Sequence, residues 1–292
     1  MNNYVVGIGE ILWDMLPEGK KLGGAPANFA YHCCQFGLDA ICVSAVGKDT
    51  LADEIHKELN ERNLNAELEV VDYPTGVVNV NLDESGIPCY DIIEGVAYDN
   101  VHWTSGLAEI ARNTKAVCFG TLAQRNGVTR ATIERFLDEM PSDGTLRIFD
   151  INLRQNYYSR ELVENSLKKC NVLKINDEEL VVVRDMLELP YDDTKTICRH
   201  LMSEYALAVL ILTCGTDGSH VFSQDGYSFY ETPKVKVADT VGAGDSFTAT
   251  MCAGIMKGIA LSKVHEHAVK VSAYVCTRNG AMPSLAPELL DW

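Results

Sequence analysis

The sequence predicts an α/β fold with a mainly parallel central sheet, and three observations predict it. Short β-rich runs alternate with amphipathic helical runs along most of the 292 residues. Several of those runs are almost unbroken in Val, Ile, Leu and Ala, the composition of strands covered on both faces. One segment, 76–94, departs from the rhythm and alternates apolar with polar residues, which marks a second, smaller sheet.

In chain order, the pattern predicts a strand over 4–9, a helix over 26–36, a strand over 40–46 and a helix over 50–63. Strands over 116–120, 147–152, 172–176 and 208–213 follow, with helices near 130–140, 161–169, 177–186 and 194–205 between them. The apolar run 206–212 is far too short to span a bilayer and reads as a buried strand. In 76–94, Val78, Val80 and Leu82 alternate with Asn79 and Asn81, and Asp-Glu-Ser-Gly joins two β-rich runs into a hairpin with one wet face. Such a pair does not belong inside a doubly covered sheet, so it is expected to project. The runs 242–258 and 262–277, rich in Ala, Cys and Met, read as two largely buried helices. There is no internal repeat, low-complexity tract or long linker, which suggests one core with an appended element.

Composition narrows the partners. With 47% apolar and 23% charged residues the chain is ordinary globular material. A formal charge of −16, with no basic cluster to offset it, argues against nucleic acid. An acidic protein that takes an anionic ligand must build positive potential locally, from helix N-termini, a metal ion or a single Arg. The start of the chain does not read as a signal peptide, and nothing reads as a membrane span. Ten cysteines scattered through apolar segments, without C-x-x-C, suit free buried thiols in a reducing cytoplasm. His265 and His267 stand two apart on a helix and point in different directions, which favours solvated or partly buried histidines over a metal site.

The run Asp239-Thr-Val-Gly-Ala-Gly-Asp245 carries the most chemistry. A β-branched strand passes into small residues and then directly into a helix. Gly242, Ala243 and Gly244 allow main chain to approach a ligand, and the helix start adds partial positive charge, together an anion hole. The same letters also describe a tight strand-to-helix turn capped by an aspartate. No Lys follows Gly244 as a Walker A loop requires, Ser246 lacks the glycines of a nucleophile elbow, and Leu12 stands where Gly7-Ile-Gly9 would need a third dinucleotide-binding glycine.

The full run resembles the C-terminal signature of the ribokinase-like (PfkB) carbohydrate kinases. Gly23-Gly24-Ala-Pro-Ala-Asn28, followed by 38–49, resembles the other signature of that family, although a Gly-Gly turn before a helix explains its backbone equally well. The stretch from Gly9 to Ala30, with Phe119-Gly-Thr-Leu-Ala-Gln124-Arg125 and Asp150-Ile-Asn-Leu-Arg154, is most similar to bacterial fructokinases. The resemblance spans Gly9 to Ser284.

What it implies is specific. The fold would be a three-layer α/β/α ribokinase-like core, 1–10, 23–72 and 100–292, with a β-sheet lid from 11–22 and 73–99. The reaction would be ATP-dependent phosphorylation of a small sugar, fructose first, with another sugar, a sugar acid such as 2-keto-3-deoxygluconate, or a nucleoside as alternatives. A non-catalytic sugar-binding regulator on the same fold is the rival of another class. Asp245 would be the general base, with Gly242, Ala243 and Gly244 as anion hole and Arg154 near the phosphates. Asp14, Gly23, Gly24, Asn28 and Gln124 would bind the sugar, although Asp14 also reads as a surface residue beyond a strand. Asn176, Thr213, Gly215, Gly218, Gly242 and Gly244 would bind ATP. Glu179, in Asn-x-x-Glu, would act through water on Mg²⁺, while the same letters form a helix cap. Asp239, with Val241, Val275, Arg278, Gly280 and Ser284, would ring a monovalent cation, K⁺. A homodimer through the lid is a further expectation.

Overall fold

The structure is a computed structural model and describes residues 3–17, 19–82, 88–224 and 226–292. Two sheets form. The large one has nine strands: β1 (Tyr4–Ile8), β4 (Ala40–Val46), β5 (Asn65–Val70), β8 (Thr114–Phe119), β9 (Leu146–Asp150), β10 (Val172–Asn176), β11 (Val209–Thr213), β12 (Ser219–Ser223) and β13 (Gly226–Tyr230). Their order is β13-β12-β11-β10-β9-β8-β1-β4-β5, parallel except for the antiparallel edge pair β12 and β13. The small sheet joins β2 (Leu12–Leu16), β3 (Gly19–Gly23), β6 (Gly76–Leu82) and β7 (Pro88–Ile92) in the order β3-β2-β6-β7.

Side-chain alternation decides the layers. On β1, Val6 and Ile8 join one core cluster and Val5 the other; on β4, Ile41, Val43 and Ala45 face one way and Ala40, Cys42 and Val46 the other. The first cluster is covered by α3 (Ser105–Arg112), α4 (Gly127–Glu139), α5 (Arg160–Lys169), α6 (Asp177–Met186) and α7 (Thr194–Glu204), through residues such as Leu107, Phe136, Leu167, Val183 and Leu201. The second is covered by α1 (Ala25–Gln35), α2 (Thr50–Glu61), α8 (Ala243–Met256) and α9 (Leu261–Cys276), through Phe29, Ile55, Met251 and Ala268. Both faces are buried, so the central strands need no polar positions, and β4 is buried along its whole length.

Strand order reverses at β1, which has β4 on one side and β8 on the other. At such a switch point the connections leave in opposite directions and a crevice opens beyond the strand ends. The small sheet stands there. Its inner face carries Leu12, Val78, Val80 and Ile92 against Val96, Tyr98 and Leu122. Trp13 Nε1 donates to Leu51 O on α2 at 3.0 Å, and Lys20 forms an ion pair with Glu54 on the same helix.

Several expectations shift. The alternation at Val78, Asn79 and Val80 is as predicted, while the Asp-Glu-Ser-Gly connection lies outside the described residues. Helix α4 begins three residues earlier than its apolar period suggests, because the Asn126 side chain accepts from Val128 N and caps it. Strand β5, helix α3 and the β12–β13 hairpin were not anticipated. β5 is a mostly exposed edge strand whose residues carry no burial pattern to read. His265 is fully buried, against expectation, because Ser219 and Ser228 hydroxyls meet its two ring nitrogens at 2.8 and 2.7 Å. Burial lowers its pKa to about 4. His267 keeps one partner, Leu289 O. All nine cysteines with described side chains are free thiols, six of them buried. No helix among the described residues is long and apolar enough to cross a membrane.

Candidate active site

Two helices begin against the crevice, and glycine makes both starts possible. Gly24 caps α1 at φ +112°, and a Cβ there would lie 2.4 Å from Glu10 O. A Cβ on Gly23 would meet an Asp14 carboxylate oxygen at 2.5 Å. The Gly-Gly pair therefore lets α1 start directly beneath the 10–14 segment. In its first turn, Asn28 is buried and donates through Nδ2 to Asp245 Oδ2 at 2.7 Å. Asn28 Oδ1 is buried too, and no partner satisfies it among the described residues. A buried acceptor of this kind calls for a donor, such as a ligand hydroxyl.

Helix α8 begins opposite. Gly242 takes the left-handed conformation at φ +78°, and any Cβ would lie 2.6 Å from Ala281 Cα. The turn therefore admits only glycine; Ala243 N closes it by donating to Thr240 O at 3.3 Å, and the first-turn N–H groups of Gly244 and Asp245 have no intrahelical acceptor. His32 on α1 braces the loop behind, with Nε2 2.9 Å from Ala281 O.

Beneath this junction lies a cluster of charge that the pattern of the sequence did not reveal. Lys174, in the middle of β10, is buried and pairs with Asp150 at 3.1 Å; its Nζ would sit 3.2 Å from a Cβ on Gly244. Asp150 also accepts from Thr248 Oγ1 at 3.0 Å, so the pair supports the first turns of α8. Burial pulls the Lys174 pKa down, but Asp150, Glu179 and Asp245 outweigh it and the ammonium persists. Glu10, Asp150 and Asp245 line one narrow cavity with Phe119. Burial first, then Asp150, raises the Asp245 pKa to about 6, against the lowering effect of Asn28 and Lys174. Burial likewise raises Glu10 to about 7 and Asp14 to about 6. A lone Lys inside an apolar strand, and Glu10 within the Gly9-to-Asp14 string, were the available signals.

Arg154 follows β9 and is exposed; its charge acts on Glu10, Asp14 and Asp245, yet it forms no ion pair among the described residues. Glu179 forms the capping box of α6 with Asn176, accepting from Asn176 N at 2.9 Å, and it also accepts from Leu153 N at 2.9 Å beside Arg154. Thr213 ends β11, and the turn after it is closed by Cys214 N donating to Gly218 O at 2.8 Å. Gly215 and Gly218 both have positive φ, and a Cβ on Gly218 would lie 2.4 Å from Tyr230 O.

The Asp239 loop is more occupied than the cation reading implies. Asp239 accepts from Val241 N and Gly280 N, both at 3.1 Å, and Lys21 Nζ of β3 lies 3.4 Å away. The Val275 carbonyl accepts Arg278 N, and the Ser284 carbonyl accepts from Tyr274 OH at 3.3 Å. Gln124 does not join the site: it is buried and donates through Nε2 to Gly120 O and Ser166 Oγ, turned toward α5. Its amide is consumed in holding the turn after β8.

The model of the pfkB family carbohydrate kinases matches residues 18–288. This chain belongs to that family. Among relatives of this carbohydrate kinase, an ATP-dependent 6-phosphofructokinase of Thermoanaerobacterium thermosaccharolyticum is 28% identical, over 96% of this chain and 90% of its own. A fructokinase of Salmonella typhimurium is 26% identical, over 98% and 97%. The structure of a fructokinase with bound ATP from Xylella fastidiosa superimposes with a TM-score of 0.83 over 98% of this chain and 95% of that one; at 19% identity the likeness shows the fold. The kinase has the ribokinase-like fold, and it is a sugar kinase whose relatives differ in the sugar they take.

The crowded carboxyls have a consequence for folding. Glu10 has its pKa raised from 4.5 to about 7, so the folded state binds a proton that the unfolded chain has released. Its contribution is fully present below pH 4.5 and is lost as pH rises to about 7. Buried His32 and His265, both lowered to about 4, act in the opposite sense below pH 6.5, so the variant must be compared with the wild type. Between about pH 5 and 8, urea unfolding should show Glu10→Gln gaining roughly 2–3 kcal/mol relative to wild type. A constant difference across that range would contradict the assignment.

Proposed function

We propose that this sugar kinase is an ATP-dependent fructokinase in which Asp245 is the general base. The observation that carries this reading is the 2.7 Å contact between Asn28 and Asp245 beside the α8 N-terminus, with Asn28 Oδ1 left unpaired. A sugar hydroxyl placed there would donate to Asn28 Oδ1 while a second faced Asp245. Asp14 and the bare backbone at Gly23 and Gly24 would hold the rest of the ring. The small sheet would be the lid that covers it and excludes water.

The chemistry then follows from the site. With a pKa near 6, Asp245 is ionised at neutral pH yet basic enough to accept a proton as the hydroxyl attacks. The oxygen bonds to the γ-phosphorus in line with the bond to ADP, which breaks; the hydroxyl proton ends on Asp245. Charge developing on the transferred group would meet the backbone at Gly242, Ala243 and Gly244, with Lys174 beneath Gly244 and the charge of Arg154 acting on Asp245. ATP would lie along the turn from Thr213 to Gly218, with Asn176 nearby. Mg²⁺ would neutralise phosphate charge, with Glu179 reaching it through water; both of that carboxylate's oxygens already accept an N–H, which leaves only its remaining lone pairs. The fit of K⁺ to Asp239 and the carbonyls of Val241, Val275, Arg278, Gly280 and Ser284 is partial, because Lys21 already balances Asp239.

A second reading has support of its own. Lys21 and Arg154 bring two cations toward Asp14, and a 6-phosphofructokinase is among the relatives, so an acceptor carrying its own phosphate or carboxylate also suits the crevice.

Asp245→Asn should lower kcat by roughly two to four orders of magnitude while sugar binding, followed by calorimetry, survives; near-normal turnover would remove the base assignment. Measured with ATP, kcat/KM for fructose should exceed those for fructose 6-phosphate, ribose and 2-keto-3-deoxygluconate by about tenfold or more. Preference for fructose 6-phosphate or the sugar acid would establish the second reading instead. Replacing K⁺ by tetramethylammonium should reduce kcat, and an unchanged rate would eliminate the cation site.

A further inference from the structure

Helix α1 turns one polar stripe toward the C-terminal part of the chain. Asn28, His32 and Gln35 stand at i, i+4 and i+7 and share a face, while Ala27, Phe29, Ala30 and Cys33 bury apolar surface in the core. Asn28 meets Asp245 at 2.7 Å. One turn later His32, which has no exposed surface, places Nε2 2.9 Å from Ala281 O. Gln35 reaches the same loop twice: its Oε1 accepts from Leu285 N at 2.7 Å, and its Nε2 donates to Pro283 O at 3.3 Å. The segment 279–285 has neither helix nor strand, so its main-chain groups depend on side chains for partners.

These contacts leave one arrangement of hydrogens. Leu285 N can only donate, so the Gln35 amide presents its oxygen there and its nitrogen to His32 Nδ1, 3.1 Å away. Nδ1 must then be bare, which puts the ring proton on Nε2, facing Ala281 O, a pure acceptor. Both ring nitrogens are satisfied in the neutral form, and burial lowers the His32 pKa to about 4, so this tautomer persists at neutral pH. An apolar side chain would fill the same space without needing two partners. Instead this face carries an imidazole and an amide that fix one peptide.

That peptide backs Gly242. A Cβ on Gly242 would lie 2.6 Å from both Ala281 Cα and Ala281 O, so the two stretches of main chain touch without slack. The preceding residue, Gly280, donates its N–H to Asp239 at 3.1 Å, at the other end of the same turn. Displacement of Ala281 is therefore passed to Gly242 and the start of α8. We propose that His32, oriented by Gln35, is a positioning residue for phosphoryl transfer: through Ala281 it sets the backbone at Gly242 to Gly244, while Asn28 on the same helix face sets Asp245. One rigid element thus fixes the two groups against each other, although neither His32 nor Gln35 touches substrate. This role rests on the assignment of Asp245 as base and of the 242–244 backbone as the group that meets the phosphoryl charge.

His32→Leu, assayed as the intact protein with ATP, Mg²⁺ and the sugar of highest kcat/KM, should lower kcat by about tenfold to a hundredfold, the effect expected of a small misplacement at the reacting centre. KM for sugar and for ATP should stay within about threefold, because the lost interaction acts in the transition state. ADP with aluminium fluoride, a mimic of the phosphoryl group in transfer, should bind more weakly by about the factor lost from kcat, while ADP alone binds as before. His32→Gln keeps an N–H within reach of Ala281 O and should restore kcat to within about threefold of wild type. If His32→Leu fails to fold, Gln35→Met, which frees the imidazole from its amide, should show the same split at about threefold to tenfold. Nitrogen NMR of the wild type at neutral pH should show the His32 ring protonated at Nε2 and bare at Nδ1, its signals identified by their absence from His32→Gln. Full kcat in His32→Leu, equal losses in the Leu and Gln variants, a parallel fall in ADP affinity, or a wild-type ring protonated at Nδ1 each overturns the role. Asp245→Asn keeps the two assignments apart: if it spares turnover, the base assignment fails whatever the His32 variants show, and if it abolishes turnover while His32→Leu does not lower it, only the positioning role fails.

Discussion

Asn28 in the first turn of α1 and Asp245 in the first turn of α8 meet at 2.7 Å across 217 positions of sequence. Everything around them is arranged so that two helix starts can come that close. Gly24 and Gly242 take backbone conformations that a side chain would oppose, and a Cβ on either would collide with the neighbouring main chain. Gly7 lies 2.1 Å, by the same measure, from Pro26 O, which presses α1 onto β1. His32 then ties α1 to the loop behind Gly242. The glycines are therefore structural conditions for the contact and, through it, for the placement of the α8 N-terminus beside it.

Electrostatics at this junction run against the charge of the whole chain. A protein at −16 has placed one ammonium, Lys174, beneath Gly244 and kept it charged with buried Asp150. The carboxyls of Glu10, Asp14 and Asp245 are raised because burial disfavours their ionised forms; Asp245 raises Glu10 further, and Asp150 raises Asp245. A cluster of this kind is a poor way to stabilise a fold and a suitable way to hold a proton acceptor near neutral pH. The phosphates of a nucleotide would find local positive charge in helix ends, Lys174 and Arg154, and not in any basic surface.

The small sheet is fastened at several points. Trp13 and Lys20 hold it to α2, Lys21 reaches the Asp239 loop, and the loop after β9 grips β7 through Gln155 and Tyr157. The last of these contacts shares its loop with Arg154, so movement of the sheet and placement of that cation are linked through a few residues of backbone. Lys21 pairs with Asp239 and its charge also acts on Asp14, which connects the β2 side of the crevice with the Asp239 loop.

The amino-acid sequence by itself determined the alternation of strands and helices, the polar-faced hairpin at Val78 to Val80, and the small-residue turn into α8, because each is a local pattern of period, size or backbone freedom. It also carried the family resemblance through ordered motifs from Gly9 to Ser284. Tertiary structure alone decided which side chains face the crevice. Gln124 lies in a quoted motif but turns toward Ser166, and Glu179 closes a capping box while also holding Leu153. Lys174 and Glu10 gave little local signal, since their character comes from surroundings far along the chain: a buried lysine is explained by Asp150, and a glutamate raised to about 7 by its burial first and by Asp245 after it. Burial and charge pairing are properties of what surrounds a residue, and they come into being only when β1, β9, β10 and α8 are brought to one place.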